Sequence, residues 1–213
     1  MASRTIVTVY VPNHRLRRKS RTVEDFSSHV QEIIADLKET LEVSDDGIGL
    51  AAPQVGVLRR IFVMQLDPNT PVKAYINPEV LSHDDYAYFT EGCLSIPGFN
   101  AKVKRPYRIH VRYQDEEGKV HEETLEDLPA RCFLHEFDHL NGILFLDRAE
   151  EGTILNPDHE EASPEEYEFV ITPDEEFLYS YAPDAELKRI GLEDAETDEE
   201  SADATEPAPD AGA

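Results

Sequence analysis

His135-Glu136-Phe137-Asp138-His139 sets two imidazoles four residues apart, with a carboxylate beside the first. In a helix, residues four apart lie one above the other, so both rings face one point and can share a metal ion. Glu136 then lies within reach of a water on that ion and can serve as its general base. Phe133, Leu134, Phe137 and Leu140 surround the motif, which favours a buried site over two histidines on a solvated charged face. The chemistry open to such a group is metal-assisted hydrolysis.

A catalytic site of this kind takes three protein ligands and leaves one position open. In one protease class the motif continues to a third histidine. Here the chain matches that class through Gly142 but carries Phe145 at the ligand position, and phenylalanine cannot coordinate. Another class takes a downstream glutamate, for which Glu160, Glu161 and Glu165 are nominal choices in an acidic stretch. The two cysteines are better placed. Cys132 lies one turn before His135, with its side chain directed further toward the helix N-terminus, and reads as a small apolar residue lining the site. Cys93, in the turn-rich run Thr90 to Gly98, can bring a thiolate to the helix and is the better third ligand.

Periodicity indicates the elements that hold these groups. Pro129 suits the first turn of a helix and Asn141-Gly142 its end, giving a metal helix over 129–140. Val23, Phe26, Val30, Ile33, Ile34, Leu37 and Leu41 form the apolar stripe of an amphipathic helix over 23–41, with Thr22 as its cap and Glu24 and Asp25 in its first turn. Ile6 to Val11 reads as a strand or extended arm. Strands are expected over Arg60–Leu66, Ala74–Asn77 and Arg108–Tyr113, then a turn at Glu116-Glu117-Gly118 and a return strand from Lys119. Gly47 to Gly56 is small and irregular.

The 213 residues carry a formal net charge of −25, unevenly spread. Residues 150–213 hold 22 Asp/Glu against two Lys/Arg, whereas residues 1–149 hold 23 acids and 18 bases. Such acidity argues against sequence-independent binding to nucleic acid or anionic lipid. Arg15-Leu16-Arg17-Arg18-Lys19 is the local exception, either a phosphate patch or a solvated loop. No run approaches the length of a membrane-spanning helix, no secretory signal is visible, and two cysteines do not staple a secreted module. The expected compartment is cytoplasmic. The expected organisation is a catalytic domain over 1–149, a weakly structured acidic extension over 150–192 and a disordered acidic tail over 193–213.

Three segments together resemble the peptide deformylases: Gly47 to Gly56 (GIGLAAPQVG), Glu91 to Ser95 (EGCLS) and His135 to His139 (HEFDH), in that order and at similar spacing. The resemblance spans about residues 5–150. It implies that Cys93, His135 and His139 bind one divalent ion, most often Fe2+, with Zn2+, Ni2+ and Co2+ as alternatives. It implies Glu136 as general base, and Gln54 with the backbone N–H of Leu94 as donors to the oxyanion. Ile48, Gly49 and Gly92 would contact the peptide. Leu128, Arg131 and Cys132 face the metal side of the helix and either border the methionine pocket or serve ordinary packing. The implied substrate is the N-formylmethionyl end of a nascent polypeptide, with room for a transient ribosome contact. The implied fold is α+β, with short antiparallel β-sheets around a central metal-binding helix and the N-terminal amphipathic helix packed outside.

Two rivals differ in class. An inactive metal-binding relative serving as a peptide-binding module is disfavoured by intact Glu136 and Gln54, and a general zinc endoprotease by Phe145. Gly47-x-Gly49-x-x-Ala52 also fits a dinucleotide fingerprint, but it follows a helix, and Pro53 and Gly56 interrupt the helix that should come next.

Overall fold

The computed structural model describes residues 3–8, 14–44 and 46–155. Two helices, α1 (Ser28–Glu42) and α2 (Leu128–Leu140), cover a five-stranded antiparallel sheet of order β1-β2-β3-β4-β5. The strands are β1 (Gly49–Ala51), β2 (Ile61–Met64), β3 (Lys73–Cys93), β4 (Ile96–Gln114) and β5 (Val120–Glu126). The class is α+β, as expected. No helix among the described residues is long and apolar enough to cross a membrane.

β2 shows why the sheet sits between the helices. Successive strand side chains point to opposite faces. Ile61 and Val63 join the cluster of α1, with Val30, Ile33, Leu37 and Leu41. Phe62 and Met64 join the cluster of α2, with Phe133, Leu134, Phe137 and Leu140. Both faces of β2 are therefore buried, and its sequence reads as a continuous apolar run. Leu37 is fully buried at the α1 interface. Truncating it to alanine should cost about 2–5 kcal/mol.

Three expectations shift. First, α1 starts at Ser28 rather than 23. Asn77 captures the Val23 backbone from both sides: its Oδ1 accepts from Val23 N–H at 2.8 Å and its Nδ2 donates to Val23 O at 2.8 Å. Val23 is thus buried outside the helix, and Ser27, not Thr22, takes the cap position.

Second, the strands are not all short. β3 and β4 run 21 and 19 residues, well beyond Ala74–Asn77 and Arg108–Tyr113. Their pairing absorbs the polar run Ser82 to Asp85 through register shifts at Ile76/Glu79 and Val80/Ser82. Third, Gly47 to Gly56 is ordered, as β1 followed by a 3-10 turn over Ala52–Val55 that Gly56 closes at φ 81°. Residues 3–8 form no strand; Val7 N–H donates to Gln54 O at 2.7 Å. The rest of the Ile6–Val11 expectation, Glu160, Glu161, Glu165 and the acidic extension beyond 155 lie outside the described residues. Up to that point the chain stays attached, with Glu150 N–H on Lys102 O and Leu155 N–H on Asn100 O.

Candidate metal centre and active-site pocket

α2 starts within a residue of its expected position, with Pro129 in its first turn, and carries ten buried residues in its thirteen. His135 and His139 lie one turn apart with their rings edge to face, centroids 5.1 Å from each other. The tight turn Leu94-Ser95 between β3 and β4 delivers Cys93 to the same point. One ligand atom from each of Cys93, His135 and His139 lies within 4.8 Å of the other two, and Cys93 Sγ is 3.3 Å from His139 Nε2. Cys132 stays apart from this group: its thiol donates to Ile48 O at 3.5 Å, and burial pushes its pKa well above the ordinary thiol range.

The donor set fits a divalent cation. Burial alone would depress His135, yet hydrogen bonds to Cys93 and Glu91 outweigh it and hold the imidazole well above its usual range. The site therefore favours positive charge between the thiol and the imidazole, a demand that a cation meets as a proton does. His139 goes the other way, held neutral by burial and by the charges of His135 and Arg105.

Glu136 stands beside this centre in the pocket wall. Burial pushes its carboxyl up to about 7, with Glu91 and Asp138 adding to the rise and His135 and Arg105 opposing it. Its Oε2 is buried without a hydrogen-bond partner. Gly49 makes the space, since a Cβ there would lie 2.6 Å from Glu136 Oε1 and 2.9 Å from Cys132 Sγ. Gln54 is fixed by its own backbone turn: its Oε1 accepts from Ala51 N–H at 2.8 Å. Its Nε2 thereby points at the site, donating to Cys93 Sγ over 3.6 Å and to Ser95 Oγ over 3.3 Å.

A pocket of about 500 Å³ opens onto these groups. Ile48, Gly49 and Gln54 line it from one side, Gly92, Cys93 and Leu94 from another, and Leu128, Arg131, Cys132, His135 and Glu136 from α2. Every expected site residue except His139 lines this pocket; His139 is buried behind Cys93. Arg131 does not present a free cation, because its guanidinium is bonded to Glu91, Val103 O and Ala87 O. Phe145, at the position where a third histidine was absent, is buried 6.1 Å from the His135 ring in a stacked arrangement.

Sequence reasoning missed the ionic cluster beneath the metal helix. Arg105, fully buried, bonds Glu91 through Nε (2.7 Å) and Asp138 through NH1 (2.6 Å). Arg148 holds both oxygens of Asp138, and Arg131 adds to Glu91. Glu91 then accepts from His135 Nδ1 at 3.0 Å, which leaves Nε2 for the metal side. Burial would raise Glu91, but Arg105 and His135 hold its carboxyl well below the usual range. A signal was available: Arg105 continues the inward row Ala101, Val103 of β4, where a charge needs a buried partner.

A family model described as polypeptide deformylase matches residues 4–154. The chain belongs to the polypeptide deformylase family. The peptide deformylase of Afipia carboxidovorans is 46% identical over 151 residues, covering 69% of this chain and 86% of that relative. The peptide deformylase of Thermoanaerobacter pseudethanolicus is 46% identical over 134 residues, 63% of this chain and 82% of the relative. Among solved structures, a Legionella pneumophila peptide deformylase is similar with a TM-score of 0.66 at 38% identity, over 70% of this chain and 87% of that one. A Synechococcus elongatus peptide deformylase in complex with actinonin is similar with a TM-score of 0.65 at 38% identity, over 70% and 81%. Deformylases are metal-dependent, and in this chain Cys93, His135 and His139 are the residues able to bind the metal.

Proposed function

We infer that the chain removes the formyl group from the N-terminal formylmethionine of newly synthesised polypeptides, releasing formate and a free amine. The observation that carries this reading is the meeting of Cys93, His135 and His139 with an unpartnered Glu136 oxygen at one pocket, within a chain of this family. A divalent cation held by the three ligands supplies Lewis acidity toward the formyl oxygen and lowers the pKa of water. Fe2+ is the metal of this proposal, although thiolate and imidazole also suit zinc, cobalt and nickel.

Placement supports a role for each residue. Glu136 accepts a proton as water adds to the formyl carbon, and returns it to the nitrogen as the C–N bond breaks. Its buried carboxyl suits a group that must both take and give a proton near neutrality. Gln54 Nε2 and the Leu94 N–H donate to the oxygen of the tetrahedral intermediate. Both present bonds of Gln54 Nε2 are long, so redirecting that donor costs little. Ile48, Gly49 and Gly92 hold the peptide backbone, and Leu128, Cys132 and the stem of Arg131 border the methionine side chain.

In this proposal residues 1–149 are the catalytic unit, the compartment is the cytoplasm, and the ribosome is a transient contact rather than a tight partner. The test is formate release from formyl-Met-Ala-Ser alongside casein cleavage. Formate without casein cleavage is expected; casein cleavage without formate overturns the reading.

A further inference from the structure

Most cations of the described residues are answered by carboxylates: Arg4 by Asp36, Lys38 by Glu116, Lys73 by Glu123, Lys102 by Glu150 and Arg108 by Glu126. Arg18, Lys19, Arg21 and Arg59 are different. None of them forms an ion pair within the described residues; Asp25, whose carboxyl is lowered chiefly by hydrogen bonds from Ser27, feels Arg59 only in small part. All four are exposed or half-buried.

Backbone bonds, not loose rotamers, bring them together. Arg21 N–H donates to Leu58 O at 3.2 Å and Arg60 N–H to Arg21 O at 2.8 Å, which sets Arg21 beside Arg59 in a parallel bridge. Ser20 N–H donates to Leu140 O at 2.8 Å, tying the same segment to the end of α2. Leu16, 2% exposed, anchors its start in the apolar cluster of Phe99, Val103 and Phe145. The domain thus sets Arg21 beside Arg59, with Arg18 and Lys19 three and two residues before Arg21 on the same tied segment, a gathering of positive charge that favours an anion.

An anion of matching size is on the chain itself. Ile154 packs on the cluster that holds Leu16, and Leu155 pairs with Asn100, so the described chain ends on the cluster that anchors the start of this segment. Residues 156–213 hold 20 Asp/Glu against Lys188 and Arg189, and Glu193 to Glu206 alone holds eight acids and no base. The residues between Leu155 and Glu193 can span roughly 120 Å at about 3.3 Å per residue, far more than the domain requires.

We propose that the acidic run Glu193–Glu206 docks on the Arg18, Lys19, Arg21 and Arg59 patch of its own domain. Tethering holds it there at an effective concentration on the order of millimolar, ahead of any free polyanion. The run then keeps RNA phosphates off this patch. The patch lies at the Leu140 end of α2, whereas the pocket is lined by Leu128 to Glu136, so docking leaves the pocket open.

A carbodiimide joins lysine amines to touching carboxylates with no spacer, and it reads this contact in the full chain. Lys19 should link to carboxylates within 193–206 in about 50 mM salt, with a yield that falls at least about five-fold in about 1 M salt as screening shortens to about 3 Å. The combined Arg18→Ala, Arg21→Ala and Arg59→Ala variant should lose the link to a similar degree. A Lys38–Glu116 link inside the domain reports that the fold persists, and the native chain's salt series decides the matter if it does not. Mixing isotope-labelled and unlabelled chains separates links within one copy from links between copies. The proposal is overturned if Lys19 links only to carboxylates of the domain, only to another copy, or with a yield indifferent to salt. It is equally overturned if the full chain retains a single-stranded oligoribonucleotide at about 0.15 M salt through these arginines.

Discussion

The backbone of Gly49 lies directly against the Glu136 carboxylate, with no room between them for a methyl group. A Cβ at 49 would sit 2.6 Å from Oε1 and 2.9 Å from Cδ, so Gly49→Ala must displace the carboxylate or the strand that carries residue 49. Misplacing a reacting group by about 1 Å can cost on the order of 10²-fold. Gly49→Ala should lower kcat by about that factor while metal content stays near one equivalent. Unchanged kcat would mean that β1 does not set the position of the base.

Glu91 joins the metal helix to the buried arginines. Glu91→Gln keeps the shape but removes the charge that Arg105, Arg131 and His135 share. Removing one partner of a buried ion pair typically costs about 3–5 kcal/mol. Loss of the group that orients a metal-binding histidine typically weakens affinity about 10–100-fold. Denaturant unfolding and competition with a chromogenic chelator measure the two effects. Wild-type stability and affinity in Glu91→Gln would show that the cluster is idle.

The thiols separate cleanly. Cys93→Ser should lose or sharply weaken metal binding, because Cys93 Sγ is the atom that meets His139 Nε2. Cys132→Ser should keep it, because Cys132 bonds Ile48 O instead. Metal analysis of both variants decides; equal retention would remove Cys93 as the third ligand.

The nature of the metal is tested by purification under strictly anaerobic conditions. Iron should accompany the active protein, and exposure to air should inactivate it faster than a nickel-substituted form. Equal decay of the two forms would count against iron. Chelation should abolish formate release in either case, and added divalent metal should restore it.

Much of the site was legible because its parts are local. A four-residue spacing on an apolar helix places His135, Glu136 and His139 without knowledge of anything distant. The fold was legible where local signals were strong, as in the punctuated ends of α2 and the continuous apolar run of β2. It was not legible where tertiary partners override local preference. Val23 has the right spacing to start α1, but Asn77 takes both of its backbone groups. The outer half of β3 lies beyond the expected Ala74–Asn77 strand, and pairing with β4 extends it to Cys93. Arg105 lies before the expected strand over Arg108–Tyr113, and its burial depends on Glu91 and Asp138, which lie 14 and 33 residues away.

The central claim is that Glu136 moves the proton and does not hold the metal. Glu136→Gln keeps the size of the side chain, leaves Cys93, His135 and His139 untouched, and removes proton acceptance. General acid–base catalysis is typically worth about 10²–10⁴-fold. Single-turnover formate release, measured with metal content and formyl-Met peptide affinity on the same preparation, tests this most directly. The account requires a loss of at least about 10²-fold in turnover, with near one equivalent of metal and little change in peptide binding. A variant that keeps its metal and turns over at the wild-type rate would contradict it, as would one that loses its metal.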